Sequence, residues 1–311
     1  MRTPDRLSAL GYGAANLGNL HRALSDDEAT AILEAAWDCD IRHFDTAPHY
    51  GLGLSERRLG AFLRDKPRDQ YTLSTKVGRL LRPNPGGAGE LDVASDFHVS
   101  ATLRREWDFT EAGIRASLTD SLDRLGLDRV DVLYLHDPER YDMQAALRQA
   151  IPALERLRAE GEVSAIGVGS MSSAALSACV AASSLDVVMV AGRYTLLEQP
   201  AEVDVFPACR ARGTKVVAAS IFNSGILAKD EPDPSDRYEY GALPPGVWNR
   251  LQRIHSVCRD FGVSLPAAAV QFPLRNALVE SVVVGASRPE QLHRNVQLMT
   301  SQIPEAFWDA L

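Results

Sequence analysis

IRHFDTAPHYG (41–51) is an apolar run that breaks into polar chemistry at its C-terminal end, and the same form recurs in YTLSTKVGR (71–79) and VDVLYLHDPE (130–139). Short β-branched and aromatic runs of this kind read as strands. At or just past their ends stand Asp45 and Tyr50, then Lys76, then His136. The strand ends of a parallel α/β barrel all open on one mouth, so that fold would bring the four side chains together.

The pattern continues in both directions. Eight candidate strands are present: LSALGYG (7–13), IRHFD (41–45), YTLSTK (71–76), VDVLYLH (130–136), VSAIGVG (163–169), DVVMVAG (186–192), TKVVAAS (214–220) and SVVVGAS (281–287). Amphipathic segments separate them, among them 26–39, 54–65, 111–126 and 144–161. Alternating β and α units point to a parallel sheet, and eight units are what a closed (β/α)8 TIM barrel requires. The spacing therefore predicts a single α/β barrel domain over 1–311. Ser25 ahead of Asp26, Asp27 and Glu28 has capping-box spacing, and Ser287 ahead of Arg288, Pro289 and Glu290 marks another helix start.

Two connections are long. Residues 79–108 follow strand 3 and contain PNPGGAG (83–89) and RREWDF (104–109); AKDEPDPSDRYEYGALPPG (228–246) follows strand 7. Loops of this length in a compact domain are commonly lids or binding loops, and both leave the expected mouth. Trp107, an aromatic in a polar loop, is a candidate to stack on a substrate.

Composition excludes several functions. The chain has 311 residues, 45% apolar and 24% charged, with a formal net charge of −8. That balance is globular, and with no Lys/Arg run it gives nucleic acid no footprint. No stretch reaches the roughly 18–20 apolar residues needed to cross a bilayer, and MRTPDRLSAL lacks the apolar centre of a signal peptide, so the expected compartment is the cytoplasm. Cys39, Cys179, Cys209 and Cys258 are scattered without a C-x-x-C pair, so no metal site is expected.

A tyrosine acts as general acid or base near neutral pH only if its pKa, about 10 when unperturbed, is pulled down. An ammonium at Lys76 beside the Tyr50 phenol would do so, with Asp45 holding the lysine and His136 sharing the proton or binding the substrate oxygen. His49, between Pro48 and Tyr50, is a candidate substrate contact. GYGAAN (11–16) and GVGSMS (167–172) imitate a dinucleotide fingerprint but lack its third glycine, and GLG (51–53) reads as a turn. VVVGASRPEQLHRN (282–295) is more informative: a strand runs into a helix whose first turn exposes N–H groups, with Ser287 and Arg288 as added donors for a phosphate.

These residues resemble the aldo-keto reductase superfamily, and the resemblance spans nearly the whole chain. It is carried by FDTAPHYGLGLSERRLG (44–60), STKVGRLLRP (74–83), VDVLYLHDPE (130–139), AGRYTLLEQ (191–199), NSGIL (223–227) and VVVGASRPEQL (282–292). Within the superfamily the chain is most similar to bacterial sugar 1-dehydrogenases of the L-fucose or D-threo-aldose type. The resemblance implies that Asp45, Tyr50, Lys76 and His136 form the catalytic tetrad, and that NADP, with NAD possible, lies across the mouth. It assigns the cofactor to Ser220, Phe222, Gly225, Leu227, Gly285, Ser287, Arg288, Gln291 and Asn295, with Arg288 favouring NADP. Two positions depart from the pattern: Ser170, Met171 and Ser172 replace an expected Asn after strand 5, and Ala219 replaces an aromatic, which leaves Tyr194 or Phe222 to hold the nicotinamide. The function implied is hydride transfer between the cofactor and a sugar anomeric carbon or small carbonyl. The alternatives are reduction of a pyridoxal-like or natural-product aldehyde or ketone, or a low-turnover NADPH-binding sensor subunit.

Overall fold

A computed structural model describes residues 7–239 and 241–311. Residues 1–6 of the stretch read for a leader, and Tyr240 in the loop after strand 7, lie outside the described residues. Eight parallel strands form a closed ring. They are β1 Leu10–Gly13, β2 His43–Asp45, β3 Thr72–Val77, β4 Val132–His136, β5 Ala165–Ser170, β6 Val187–Ala191, β7 Lys215–Ala219 and β8 Val279–Gly285. Each strand pairs with its neighbours in sequence, and β8 returns to β1 with Leu10 opposite Val282. All eight candidate strands are present, most of them shorter than their apolar runs.

Alternate residues of the strands fill the barrel with Val132, Tyr134, Ala165, Val187, Met189, Val217, Ala219 and Val283. The Tyr134 ring occupies space that a side chain at Gly167 would need: a Cβ there would come within 2.8 Å of the ring. A larger layer, including Ile32, Leu59, Ile114, Leu154, Leu176 and Leu292, seals the outer faces of the strands against the helices. The helix Asp26–Asp38 begins with a complete capping box, Ser25 Oγ accepting from Glu28 N while Glu28 accepts from Ser25 N.

Local structure departs from expectation in three places. The helix expected over 144–161 is broken into Met143–Ala145, a π-helical stretch Ala146–Ala150 and Ile151–Glu160. The helix after β8 starts at Pro289 with Arg288 as N-cap; the Ser287 N–H instead donates to Gln291 Oε1, so Ser287 is not the cap. The loop after β3 is a built hairpin, Arg79–Pro83 pairing antiparallel with Leu103–Trp107. Among the described residues no helix is long and apolar enough to cross a membrane, and the four cysteines are free.

Candidate active site

Strand register sets the site. Gly13 lies opposite Asp45, Asp45 opposite Ser74, and Lys76 opposite Tyr134, so the ends of β2, β3 and β4 reach the mouth together. Tyr50 is carried by the turn after β2, which closes with Tyr50 N–H on Ala47 O and Gly53 N–H on Pro48 O. That turn lies directly against the backbone of the 3-10 turn Ala14–Gly18. A Cβ on Gly51, whose φ is +61°, would fall 2.2 Å from Gly18 O, and one on Gly18 would fall 2.6 Å from the Tyr50 carbonyl carbon. Only glycine at both positions permits this approach, which fixes the turn bearing the phenol.

Lys76 Nζ is the hub of the constellation. It donates to Asp45 Oδ2 at 2.5 Å, to Thr46 O at 2.9 Å and to the Tyr50 hydroxyl at 3.1 Å. Asp45 is held in turn by Ser74 Oγ, which donates to Oδ1 at 2.7 Å. The His136 ring stands edge-on to Tyr50 with centroids 6.0 Å apart. The four residues, read from three strand ends, therefore share one cluster.

Electrostatics modify one expectation. Burial is the largest influence on Tyr50 and holds its pKa above the ordinary phenol value; Lys76 pulls it back without reversing the sign. The phenol is thus an acid in the protein alone, not the depressed phenol expected from the neighbouring lysine. Burial also opposes the charge on Lys76, but Asp45 and Tyr50 outweigh it, and the ammonium is retained. His136 is pushed well below the usual histidine range by burial first, then by Arg79 and Lys76, and so is neutral.

His49 joins this group. Its ring lies 5.8 Å from His136 and 5.5 Å from Phe97, edge-on to both, and its Nδ1 is buried without a partner. Trp107 stands further out. It stacks on Tyr141 at 5.5 Å, lies under the Arg79 guanidinium at 4.4 Å, and makes no ring contact with the tetrad. It lines the hairpin wall behind Arg79.

The residues assigned to the cofactor fall on two neighbouring loops. After β7 the chain curls through Ser220, Asn223, Ser224 and Gly225, all at positive φ, with Ser220 and Ser224 exposed and Asn223 Oδ1 buried without a partner. Such successive left-handed residues form concavities suited to anions. After β8, Gly285 is an exposed, side-chain-free edge, and Arg288 caps the twelve-residue helix Pro289–Thr300 with no ion pair among the described residues. The open, cationic start of this helix fits a dinucleotide phosphate, whereas Asn223 Oδ1, an acceptor, could meet only a donor group. Gln291 is exposed and Asn295 buried on the same helix, while Phe222 is half-buried. Leu227 is fully buried with Leu196 and Leu251, so it offers only backbone. Tyr194 is packed between Phe206 and Phe272 and is no stacking surface. Ser170 donates to Glu139 Oε1 and accepts from Ser172 N, so its hydroxyl is already engaged.

Three further arginines of the site were not singled out in the sequence. Arg105 donates to Asp92 and to His49 O, fixing the hairpin to the turn that carries Tyr50. Arg193 joins three loops through Met171 O, Glu198 and Glu239. Arg79 pairs with Asp137, immediately after His136; the adjacency of Asp137 to the tetrad histidine was the one available clue.

Comparison with known proteins gives the family and the fold. A profile described as the aldo/keto reductase family matches residues 9–311. A D-threo-aldose 1-dehydrogenase from Pseudomonas sp. is 63% identical over 306 residues, covering 98% of this chain and 93% of the relative. A pyridoxal 4-dehydrogenase from Microbacterium luteolum is 37% identical over 325 residues, covering 100% and 94%. The solved glycerol dehydrogenase of Gluconobacter oxydans shares the fold, with a TM-score of 0.76 at 23% identity over 98% of this chain and 90% of that one.

Proposed function

The chain belongs to the aldo/keto reductase family and is an NAD(P)-dependent oxidoreductase, and we propose that it oxidises the anomeric carbon of an aldose to a lactone. The observation that carries this reading is the Tyr50 hydroxyl 3.1 Å from a lysine ammonium that Asp45 holds in place. The identity to a D-threo-aldose 1-dehydrogenase supports the sugar class.

In this mechanism the C1 hydroxyl gives its proton to Tyr50 as phenolate while C1 loses hydride, and the carbonyl of the lactone forms. Lys76 stabilises the phenolate as it develops, and Asp45 keeps the lysine charged inside a poorly solvated site. Neutral His136 orients the sugar oxygen with a hydrogen bond. His49, backed by the buried ring of Phe97, forms the side against which a pyranose face packs. When bound, NAD(P)+ supplies the hydride acceptor. Ser220 and the side-chain-free Gly225 and Gly285 would line its pyrophosphate, and Arg288, Gln291 and Asn295 its adenosine end. The reverse reaction uses Tyr50 as the acid.

We also infer that the chain works as one domain, since β1 and β8 close the ring from opposite ends of the sequence. The compartment we propose is the cytoplasm, in keeping with four unpaired cysteines. A second reading, oxidoreduction of a flat aromatic aldehyde, is favoured by the His49–Phe97–Tyr50 ring cluster and the pyridoxal 4-dehydrogenase relative. A panel of aldoses and pyridoxal with NADP+ and NAD+, followed at the reduced-nicotinamide absorbance, decides between them. Turnover with pyranoses supports the proposal; turnover with pyridoxal alone supports the second reading, and cofactor binding without any turnover makes the protein a sensor.

A further inference from the structure

Arg79 is a buried cation beside the tetrad for which the reaction above has no use. It opens the hairpin after β3, directly opposite Trp107 in the strand register, and its guanidinium lies 4.4 Å from the Trp107 ring centroid. Its Nη2 donates to Asp137 Oδ2 at 2.5 Å, and its Nε is buried without a partner. Asp137 follows β4 in a left-handed conformation, φ +44°. The same Oδ2 lies 3.7 Å from His136 Nε2. One carboxylate oxygen thus stands between two nitrogens, and it is bonded to the arginine.

We propose that Arg79 is a positioning residue that holds the Asp137 carboxylate off His136, so that the imidazole stays neutral and its Nε2 remains available to the substrate oxygen. This role rests on His136 being the group that meets the substrate.

The charges around the imidazole give the sign. His136 is faced by Lys76 from β3, by Arg79 from the hairpin, by His49 and Tyr50 from the turn after β2, and by Asp137 and Arg140 on its own connection. Lys76 carries its own counter-ion in Asp45, and the carboxylate that reaches the imidazole is Asp137. While Arg79 binds it, the surroundings are net cationic and disfavour the imidazolium. Remove Arg79 and two effects add: a neighbouring cation is lost, and the freed carboxylate, already within 4 Å, becomes a hydrogen-bond partner for a protonated ring. Both raise the pKa of His136. Below that raised pKa the histidine is a charged group engaged by Asp137, and the substrate oxygen loses its contact.

The test uses the full-length enzyme, selectively labelled at histidine, in wild-type, Arg79→Met, Asp137→Asn and doubly substituted forms. For each, the His136 ring is titrated by NMR without substrate, and kcat/KM for aldose oxidation is recorded against pH. Wild-type His136 is expected to stay neutral across the accessible range. In Arg79→Met it should titrate within that range, with kcat/KM falling at least tenfold on its acid side. Adding Asp137→Asn should return the ring to neutrality and kcat/KM to within about threefold of wild type, because an amide cannot pair with the imidazolium. A ring that stays neutral in Arg79→Met overturns the proposal, as does a double variant no better than the single one, which would mark Arg79 as a structural prop for Trp107. If Arg79→Met does not fold, Asp137→Asn alone decides: near wild-type turnover supports the proposal, and its loss shows that Asp137 serves the substrate directly. The titration needs no substrate, so a failed assignment of the sugar would leave it standing.

Discussion

Arg105 Nη2 donates to the backbone carbonyl of His49 at 2.8 Å, while both terminal nitrogens of the same guanidinium grip Asp92 at 3.0 and 2.6 Å. The hairpin wall and the turn that carries Tyr50 are thereby one body. Phe97, on the same excursion, packs against His49 and Tyr50 and lies under Arg105.

Arg105→Met should therefore disturb substrate binding before it disturbs chemistry. Hydrogen bonds to charged groups are each worth about 1.5–3 kcal/mol, which corresponds to roughly tenfold or more in an equilibrium. We expect KM for the best aldose to rise by about that factor while NADP affinity is unchanged. Parallel steady-state kinetics and fluorescence titration would check it; an unaltered KM would mean that the hairpin holds its place without this contact.

Lys76 controls the pH dependence of oxidation. Burial holds the Tyr50 pKa above its ordinary value and Lys76 draws it down. Oxidation needs the phenolate, so wild-type kcat/KM should climb as pH rises, and reduction, which needs the phenol, should not. Lys76→Met removes the downward pull, so the climbing limb should move to still higher pH. A limb at the same position in both proteins would separate Lys76 from the titration of Tyr50.

Arg288 should set the preference between cofactors. Exposed at a helix start and without an ion pair among the described residues, it can engage a 2′-phosphate by charge-assisted bonds that a ribose hydroxyl cannot match. Arg288→Ala is expected to weaken NADP by about 1.5–3 kcal/mol and leave NAD almost untouched. Dissociation constants for both cofactors test this. Equal losses would assign Arg288 to the adenine or to the loop.

The barrel and the four clustered residues were legible because Asp45, Lys76 and His136 close apolar runs and Tyr50 follows one, and a closed parallel ring turns separate strand ends into neighbours. The hairpin was not: LLRP and LRREW are short, amphipathic and separated by a stretch rich in glycine and turns, so neither stands out as a strand. Burial was also hidden. Leu227 reads as a groove residue until the helix Pro245–Phe261, which supplies Leu251, covers it. Tyr194 has the aromatic character to stack on a cofactor, but Phe206 and Phe272 enclose it. The sign of the Tyr50 shift was missed for the same reason: sequence shows the lysine that lowers the pKa but not the desolvation that raises it. Pairs such as Arg79–Asp137 and Arg105–Asp92 join residues that read singly as loop charges, and their meaning lies in contacts made after the chain has folded.

If Tyr50 moves the proton while hydride leaves the sugar, single-turnover hydride transfer in Tyr50→Phe preloaded with cofactor must be slow. The ring and its packing are kept and only the hydroxyl beside Lys76 Nζ is lost. The rate of reduced-nicotinamide formation should fall by at least about a hundredfold, the scale of a general acid–base contribution, with cofactor affinity preserved. A transfer rate near that of the wild type would contradict it.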